Sequence, residues 1–167
     1  TNAILERRGA RTALVTTEGF RDVFEIRRLR VPQLFNLFFE KPPTLIERFL
    51  RFEVAERVAA TGEILKPLDE DSLGLLVDQL RRHQVASVAV CLLHSYAFPD
   101  HELRVGDYLR RHLPGVDVSL SVHVLRERKE YERTATTAVN AYVLPVMRGY
   151  LSALKDGLER QRIRATL

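Results

Sequence analysis

Arg133, Thr136, Thr137 and Asn140 recur within Lys129-Glu130-Tyr131-Glu132-Arg133-Thr134-Ala135-Thr136-Thr137-Ala138-Val139-Asn140. Three- and four-residue spacing puts such side chains on one face of a helix. A guanidinium, two hydroxyls and an amide on one stripe can orient a polar ligand, or can hydrogen-bond a neighbouring segment inside a core. Buried polar groups generally find partners within the protein, so spacing alone favours the structural reading, with a ligand-facing cleft as the alternative. The second candidate is His94-Ser95-Tyr96-Ala97-Phe98-Pro99-Asp100-His101-Glu102, which follows an apolar run. His94 has the chemistry of a general acid or base, or of a metal ligand together with His101. No further ligand stands at a diagnostic spacing, so a local hydrogen bond for His94 and a capping role for Asp100 are the plainer expectations. Thr16-Thr17-Glu18-Gly19 is the third, a strand-to-helix turn whose amides could meet an anion.

Other chemistries are absent from the chain. There is no glycine-rich phosphate loop of the Walker or dinucleotide type and no serine elbow of a hydrolase. The single cysteine, Cys91, sits in Val88-Ala89-Val90-Cys91-Leu92-Leu93, where a buried thiol is expected rather than a nucleophile.

Those residues need elements to hold them. Asn2 is placed to cap a helix through Arg8 that Gly9 ends, and Thr12 to Thr17 reads as a short buried strand. Phe20 to Arg28 returns to helical spacing. Between Leu29 and Leu50, Pro32, Pro42 and Pro43 interrupt the pattern. A loop with one helical turn is expected there, with Phe35, Phe38 and Phe39 packed on the core and a partner surface as the alternative. Phe52 to Val58 alternates and Glu63 to Lys66 returns after Thr61-Gly62, which predicts a β-hairpin. Asp69 or Asp71 caps a helix to His83 with Leu73, Leu76, Val77 and Leu80 inward.

Val85 to Leu93 has the near-continuous apolar character of a central strand, and ligands in open α/β sheets bind outside the C-terminal ends of such strands. A helix from Asp100 ends before Pro114-Gly115, and Val116 to Val122 alternates as another strand. From Glu130 to Arg162 the pattern is helical, with a kink or break expected at Pro145. This order predicts an α/β fold with a parallel or mixed sheet and flanking helices.

Composition agrees. The chain has 167 residues, 46% apolar and 29% charged, and a chain of that size buries roughly two-thirds of its unfolded surface. The net charge of +4 comes from arginines interleaved with acids, as in Arg126-Glu127-Arg128-Lys129-Glu130, which argues against a nucleic-acid stripe. No apolar run approaches the ~20 residues of a membrane span and no signal peptide is visible, so a cytoplasmic, non-membrane protein is expected. The ends, Thr1-Asn2 and Ala165-Thr166-Leu167, read as the bounds of a piece of a longer chain, residues 1–167 forming one domain.

Several separated stretches resemble one family. Thr1-Asn2-Ala3-Ile4-Leu5-Glu6-Arg7-Arg8-Gly9-Ala10 and Ala13-Leu14-Val15-Thr16-Thr17-Glu18-Gly19-Phe20-Arg21-Asp22-Val23 are followed by Phe39-Glu40-Lys41-Pro42-Pro43 and Leu92-Leu93-His94-Ser95-Tyr96. Then come Glu130-Tyr131-Glu132-Arg133-Thr134 and Asn140-Ala141-Tyr142-Val143. In this order they resemble the N-terminal region of the hydantoinase A / 5-oxoprolinase family, which includes ATP-dependent N-methylhydantoinase, 5-oxoprolinase and an acetone carboxylase subunit. The resemblance implies an actin-like, sugar-kinase-like ATPase framework that uses ATP and Mg²⁺ in the full-length enzyme. It implies a small cyclic amide as substrate, a hydantoin or 5-oxoproline, and a second B-type subunit or fused domain in an oligomeric enzyme. An acetone-carboxylase-like subunit acting on a ketone and bicarbonate, and a non-catalytic interaction domain, are the alternatives.

The family's Asp-x-Gly-Gly-Thr phosphate motifs belong upstream of Thr1 and beyond Leu167, so these residues alone are expected to be inactive and to hold no nucleotide. Phe98 stands where Asn is common before Pro, and His123 and Arg126 where Glu and Pro are frequent. The resemblance gives weight to His94, Ser95, Glu130, Glu132, Arg133, Thr134, Thr136 and Asn140 as cleft-lining groups.

Overall fold

A computed structural model describes residues 2–28, 35–36, 38–40 and 42–161. Four strands form one parallel sheet in the order β2-β1-β5-β6: β1 is Thr12–Thr17, β2 Arg51–Val54, β5 Ser87–Cys91 and β6 Asp117–Leu120. The registers Val15↔Phe52, Val15↔Val90 and Val90↔Leu120 lie side by side across it. All six residues of β1 and all five of β5 are buried, as the apolar runs required of strands covered on both faces. A separate antiparallel pair joins β3 (Arg57–Val58) to β4 (Ile64–Lys66).

Parallel strands need crossovers, and right-handed ones fix which face each helix covers. Helix α3, Glu70–Arg82, links β2 to β5, and α4, Asp100–His112, links β5 to β6. Both crossovers run the same way across the sheet, so the two helices share a face and pack on one another. Asp69 caps α3 by accepting from the amides of Asp71 and Ser72, and Leu73, Leu76, Val77 and Leu80 are its buried stripe. The opposite face is covered by α6, Glu130–Arg160, which packs on β1, β5 and β6 and touches the short α2, Val23–Ile26, and α1, Asn2–Leu5. A short helix α5, Ser121–Val124, leads from β6 toward it.

Close approaches at α4 and α6 need glycine. A Cβ on Gly106 would lie 2.7 Å from both Cδ atoms of Leu120, and one on Gly9 would lie 2.0 Å from the Tyr142 ring. The Gly106 contact lets α4 lie close on β6. The Gly9 contact seats the N-terminal segment on α6, where the Ala10 amide donates to the Tyr142 carbonyl.

Several expectations are corrected. The hairpin of 52–58 with 63–66 is divided: β2 joins the main sheet beside β1, and only Arg57–Val58 pairs with β4. The break has a physical cause, because the Glu56 side chain turns into the interior to accept from Thr17 and His101. Phe35 and Phe38 do not pack on the core; they are 96% and 91% exposed. Phe39 is half-buried, and residues 29–34, 37 and 41 of that loop lie outside the described residues. The first helix stops at Leu5 and the second covers only Val23–Ile26. The last strand ends at Leu120, where α5 begins. Pro145 does not end α6, which runs through it; its buried residues stop at Tyr142, before the proline. Among the described residues no helix is long and apolar enough to cross a membrane.

Candidate functional site

The C-terminal edge of the sheet gathers the polar candidates. Just past β5 and β6 the amides of Leu92, Leu93 and Val122 have left the ladder, and buried side chains from other elements meet them. Glu102, fully buried on α4, accepts from the Leu92 amide at 2.8 Å and the Val122 amide at 2.9 Å. It also accepts from the hydroxyls of Ser95 at 2.6 Å and Ser121 at 2.9 Å. Arg133, fully buried on α6, donates to both serine oxygens and to the Leu92 carbonyl at 2.7 Å. The guanidinium and the carboxylate therefore compensate each other through two shared hydroxyls. An isolated buried charge costs several kcal/mol, roughly, and only such pairing with full hydrogen bonding offsets it.

A second buried group lies alongside. Thr17 donates to one oxygen of Glu56 and accepts from the Leu93 amide at 2.9 Å. His101 Nδ1 is 2.8 Å from the other Glu56 oxygen, and with the carboxylate accepting, the proton sits on Nδ1. Strand ends on β1 and β5 and helix α4 are thus stitched by two carboxylates, Glu102 accepting from four groups and Glu56 from two.

Ser95 and Arg133 come together, at the centre of the first network. Thr134 points instead to Cys91, its hydroxyl 3.1 Å from Sγ, and burial pushes the Cys91 thiol up, against the lowering influence of Arg133. Glu130 joins Arg133 and Thr134 on the wall of a pocket of about 10 Å³ beside Cys91 and Phe20, room for roughly one water. The buried Nε of Arg133 has no hydrogen-bond partner among the described residues.

Glu132 faces away and pairs with Arg28. Burial opposes its ionisation, but its own backbone amide and Arg28 outweigh that and hold its carboxyl below the ordinary value. Asn140 donates to Ser119 at 2.9 Å, and Thr136 is exposed.

His94 and His101 do not share a site. His94 Nδ1 lies 2.8 Å from the Val58 carbonyl, with its backbone at φ 57° in the left-handed region that few residues other than glycine adopt. Among the described residues no three His, Cys, Asp or Glu side chains are grouped to hold a metal. Asp100 is the first residue of α4 rather than its cap. The turn at Thr16-Thr17-Glu18-Gly19 has already met an anion, because the Gly19 and Arg21 amides donate to Glu53 at 2.8 and 3.3 Å.

Ser121 and Glu56 are the functional-looking residues that spacing missed, and Glu102 and Thr17 stood in candidate stretches without a role of their own. One signal was available: Glu102 sits on the buried stripe of α4 with Val105 and Leu109, and a carboxylate in an apolar stripe demands a buried partner.

The family described as "Hydantoinase/oxoprolinase N-terminal region" matches residues 1–113. An uncharacterized protein of Methanocaldococcus jannaschii is 43% identical over 149 residues, 89% of this chain and 22% of that protein. Caprolactamase subunit alpha of Pseudomonas jessenii is 35% identical over 155 residues, 92% of this chain and 22% of the relative. 5-oxoprolinase 1 of Arabidopsis thaliana is 36% identical over 171 residues, 91% of this chain and 13% of the relative.

Among solved structures, the ATP-dependent caprolactamase of Pseudomonas jessenii superposes on 99% of this chain and 24% of its own, with a TM-score of 0.92 and 32% identity. The nucleotide-free acetone carboxylase superposes on 97% of this chain and 24% of its own, with a TM-score of 0.82 and 25% identity. The chain thus spans about a quarter or less of the length of the proteins it matches.

Proposed function

The chain belongs to the hydantoinase/oxoprolinase family, and from that premise we propose that it is part of an ATP-dependent cyclic amidohydrolase opening a hydantoin, 5-oxoproline or related lactam ring. The observation that carries this reading is the likeness to the ATP-dependent caprolactamase over 99% of the chain. Ring amides are resonance-stabilised, which is the chemical reason to couple their opening to a phosphoryl donor.

The residues of this chain do not themselves fit a nucleotide. No glycine-rich phosphate loop occurs in the sequence, and the buried carboxylates of Glu102 and Glu56 are already engaged by donors of the chain itself. We therefore assign ATP and Mg²⁺ to segments beyond these 167 residues, and the chain alone is expected to be inactive. Its own contribution is positional. Ser95, Arg133 and Thr134 hold the ends of the strands, while His94, Glu130 and Thr136 are the candidates left to face a substrate. Glu132 and Asn140 brace α6 against Arg28 and Ser119. A B-type partner subunit is part of the reading, supported by relatives that are named as subunits.

A second reading, a carboxylase-like subunit activating a ketone with bicarbonate, is favoured by the likeness to acetone carboxylase. The test is ATP hydrolysis by the longer polypeptide with its partner, in the presence of hydantoin, 5-oxoproline, caprolactam, or acetone plus bicarbonate. Hydrolysis stimulated by a cyclic amide and matched by ring opening supports the first reading. Stimulation by the ketone and bicarbonate alone transfers the assignment to the second.

A further inference from the structure

The opposite edge of the sheet carries a different kind of site. A pocket of about 570 Å³ opens there among the N-terminal segment, the start of β1 and the loop leading to β2, within the size range of small-molecule sites. Arg7, Arg11, Arg48 and Arg51 line it, against the carboxylates of Glu25 and Glu47. Arg48 is committed to Asp22 by two hydrogen bonds of 3.0 Å, and Arg7 donates to the Pro43 carbonyl at 2.8 Å. Arg51 is buried and commits Nε to the Ile46 carbonyl and one terminal nitrogen to Glu25 and Thr44, while its other terminal nitrogen, Nη1, has no partner among the described residues. The exposed Arg11 guanidinium has no hydrogen-bond or ion-pair partner among the described residues.

Even with Asp22 counted, guanidiniums outnumber carboxylates. Tyr142, Leu45 and Leu50 supply an apolar wall. Guanidinium forks match planar or tetrahedral oxyanions, which they hold through paired N–H bonds.

We propose that this pocket binds a small molecule through an oxyanion, a carboxylate or a phosphate, held by Arg7 and Arg11 with Arg51 behind them, its apolar body resting on the Tyr142 side. The site is at the far edge from the Glu102–Arg133 network and does not depend on the amidohydrolase reading.

Calorimetric titration of the protein at constant ionic strength tests it, with inorganic phosphate and benzoate as separate probes and chloride as the control. Saturable binding of one probe is expected, and the tighter probe identifies phosphate or carboxylate as the ligand's anionic group. Arg11→Gln and Arg7→Gln, both surface changes, are expected to weaken that binding at least tenfold, whereas Arg104→Gln, on the α3–α4 face, leaves it unchanged. Arg51→Met is a poorer probe, since it removes a buried partner of Glu25 and endangers the fold. Absence of saturable binding by either probe, or equal affinity in Arg11→Gln, Arg7→Gln and the parent protein, overturns the proposal.

Discussion

At one end of the parallel sheet, buried carboxylates meet leftover amides; at the other, arginines meet leftover carbonyls. Beyond β5 and β6 the amides of Leu92, Leu93 and Val122 point out of the ladder, and Glu102 and Thr17, the latter bonded to Glu56, satisfy them in a closed interior. Before β2 the carbonyls of Pro43 and Ile46 accept from arginines instead, and Arg7 and Arg51 reach them around an open pocket. Apart from the Arg133 Nε, the closed end uses its polar groups on one another and is built for position. The open end leaves guanidinium N–H groups over and is built to accept something.

The largest effect expected from this contrast is at the closed end. Glu102→Ala strands the Leu92 and Val122 amides and leaves Arg133 uncompensated, so it should cost about 3–5 kcal/mol of stability. Arg11→Gln at the open end should stay within about 0.5 kcal/mol. Urea denaturation of both variants breaks the comparison if they cost the same.

Gly9→Ala comes next. Its Cβ would lie 2.0 Å from Cε1 of the buried Tyr142 ring, and forcing such a shift costs about 1–3 kcal/mol. The same ring forms the apolar wall of the pocket, so the variant should also weaken probe binding there, which a thermal melt paired with calorimetry would read.

Much of this arrangement could be seen in the residues alone. An Asp69 or Asp71 cap before a Leu73-Leu76-Val77-Leu80 stripe specified α3, with Asp69 the residue that caps it, and Val85 to Leu93 specified a doubly covered strand, because both patterns are local. Spacing favoured partners in a neighbouring segment for the Arg133 stripe, and Arg133 and Asn140 find them, whereas Thr137 bonds back to its own helix and Thr136 is exposed. What escaped was non-local. Nothing near Glu56 in sequence announces Thr17 and His101, so the strand break that its burial causes looked like one continuous hairpin. Phe35 and Phe38 looked like core residues by type alone, yet no local rule says which aromatics a proline-broken loop turns inward. The pocket arginines come from separate stretches, and only the fold brings them together.

The smallest effect sharpens the contrast through pH. The hydrogen bond from Arg48 holds the Asp22 carboxyl below its ordinary value, against a small opposing effect of burial. A depressed folded value means that the pair's stabilisation is present above the ordinary aspartate range and fades as pH falls through the depressed value. Asp22→Asn should flatten that acid limb of the stability profile and leave neutral stability nearly unchanged, since half-exposed pairs are worth little. Melting temperatures measured from neutral to strongly acidic pH would show an unaltered limb if the pair makes no contribution.

The central claim is that these residues position a catalytic apparatus whose nucleotide is held elsewhere. Calorimetric titration of ATP with Mg²⁺ into this protein, beside the longer assembly of which we propose it is part, tests that most directly. Magnesium-dependent binding by the assembly and no tight binding by residues 1–167 is the predicted result. Tight, magnesium-dependent binding by these residues alone would contradict it and place the nucleotide in this chain.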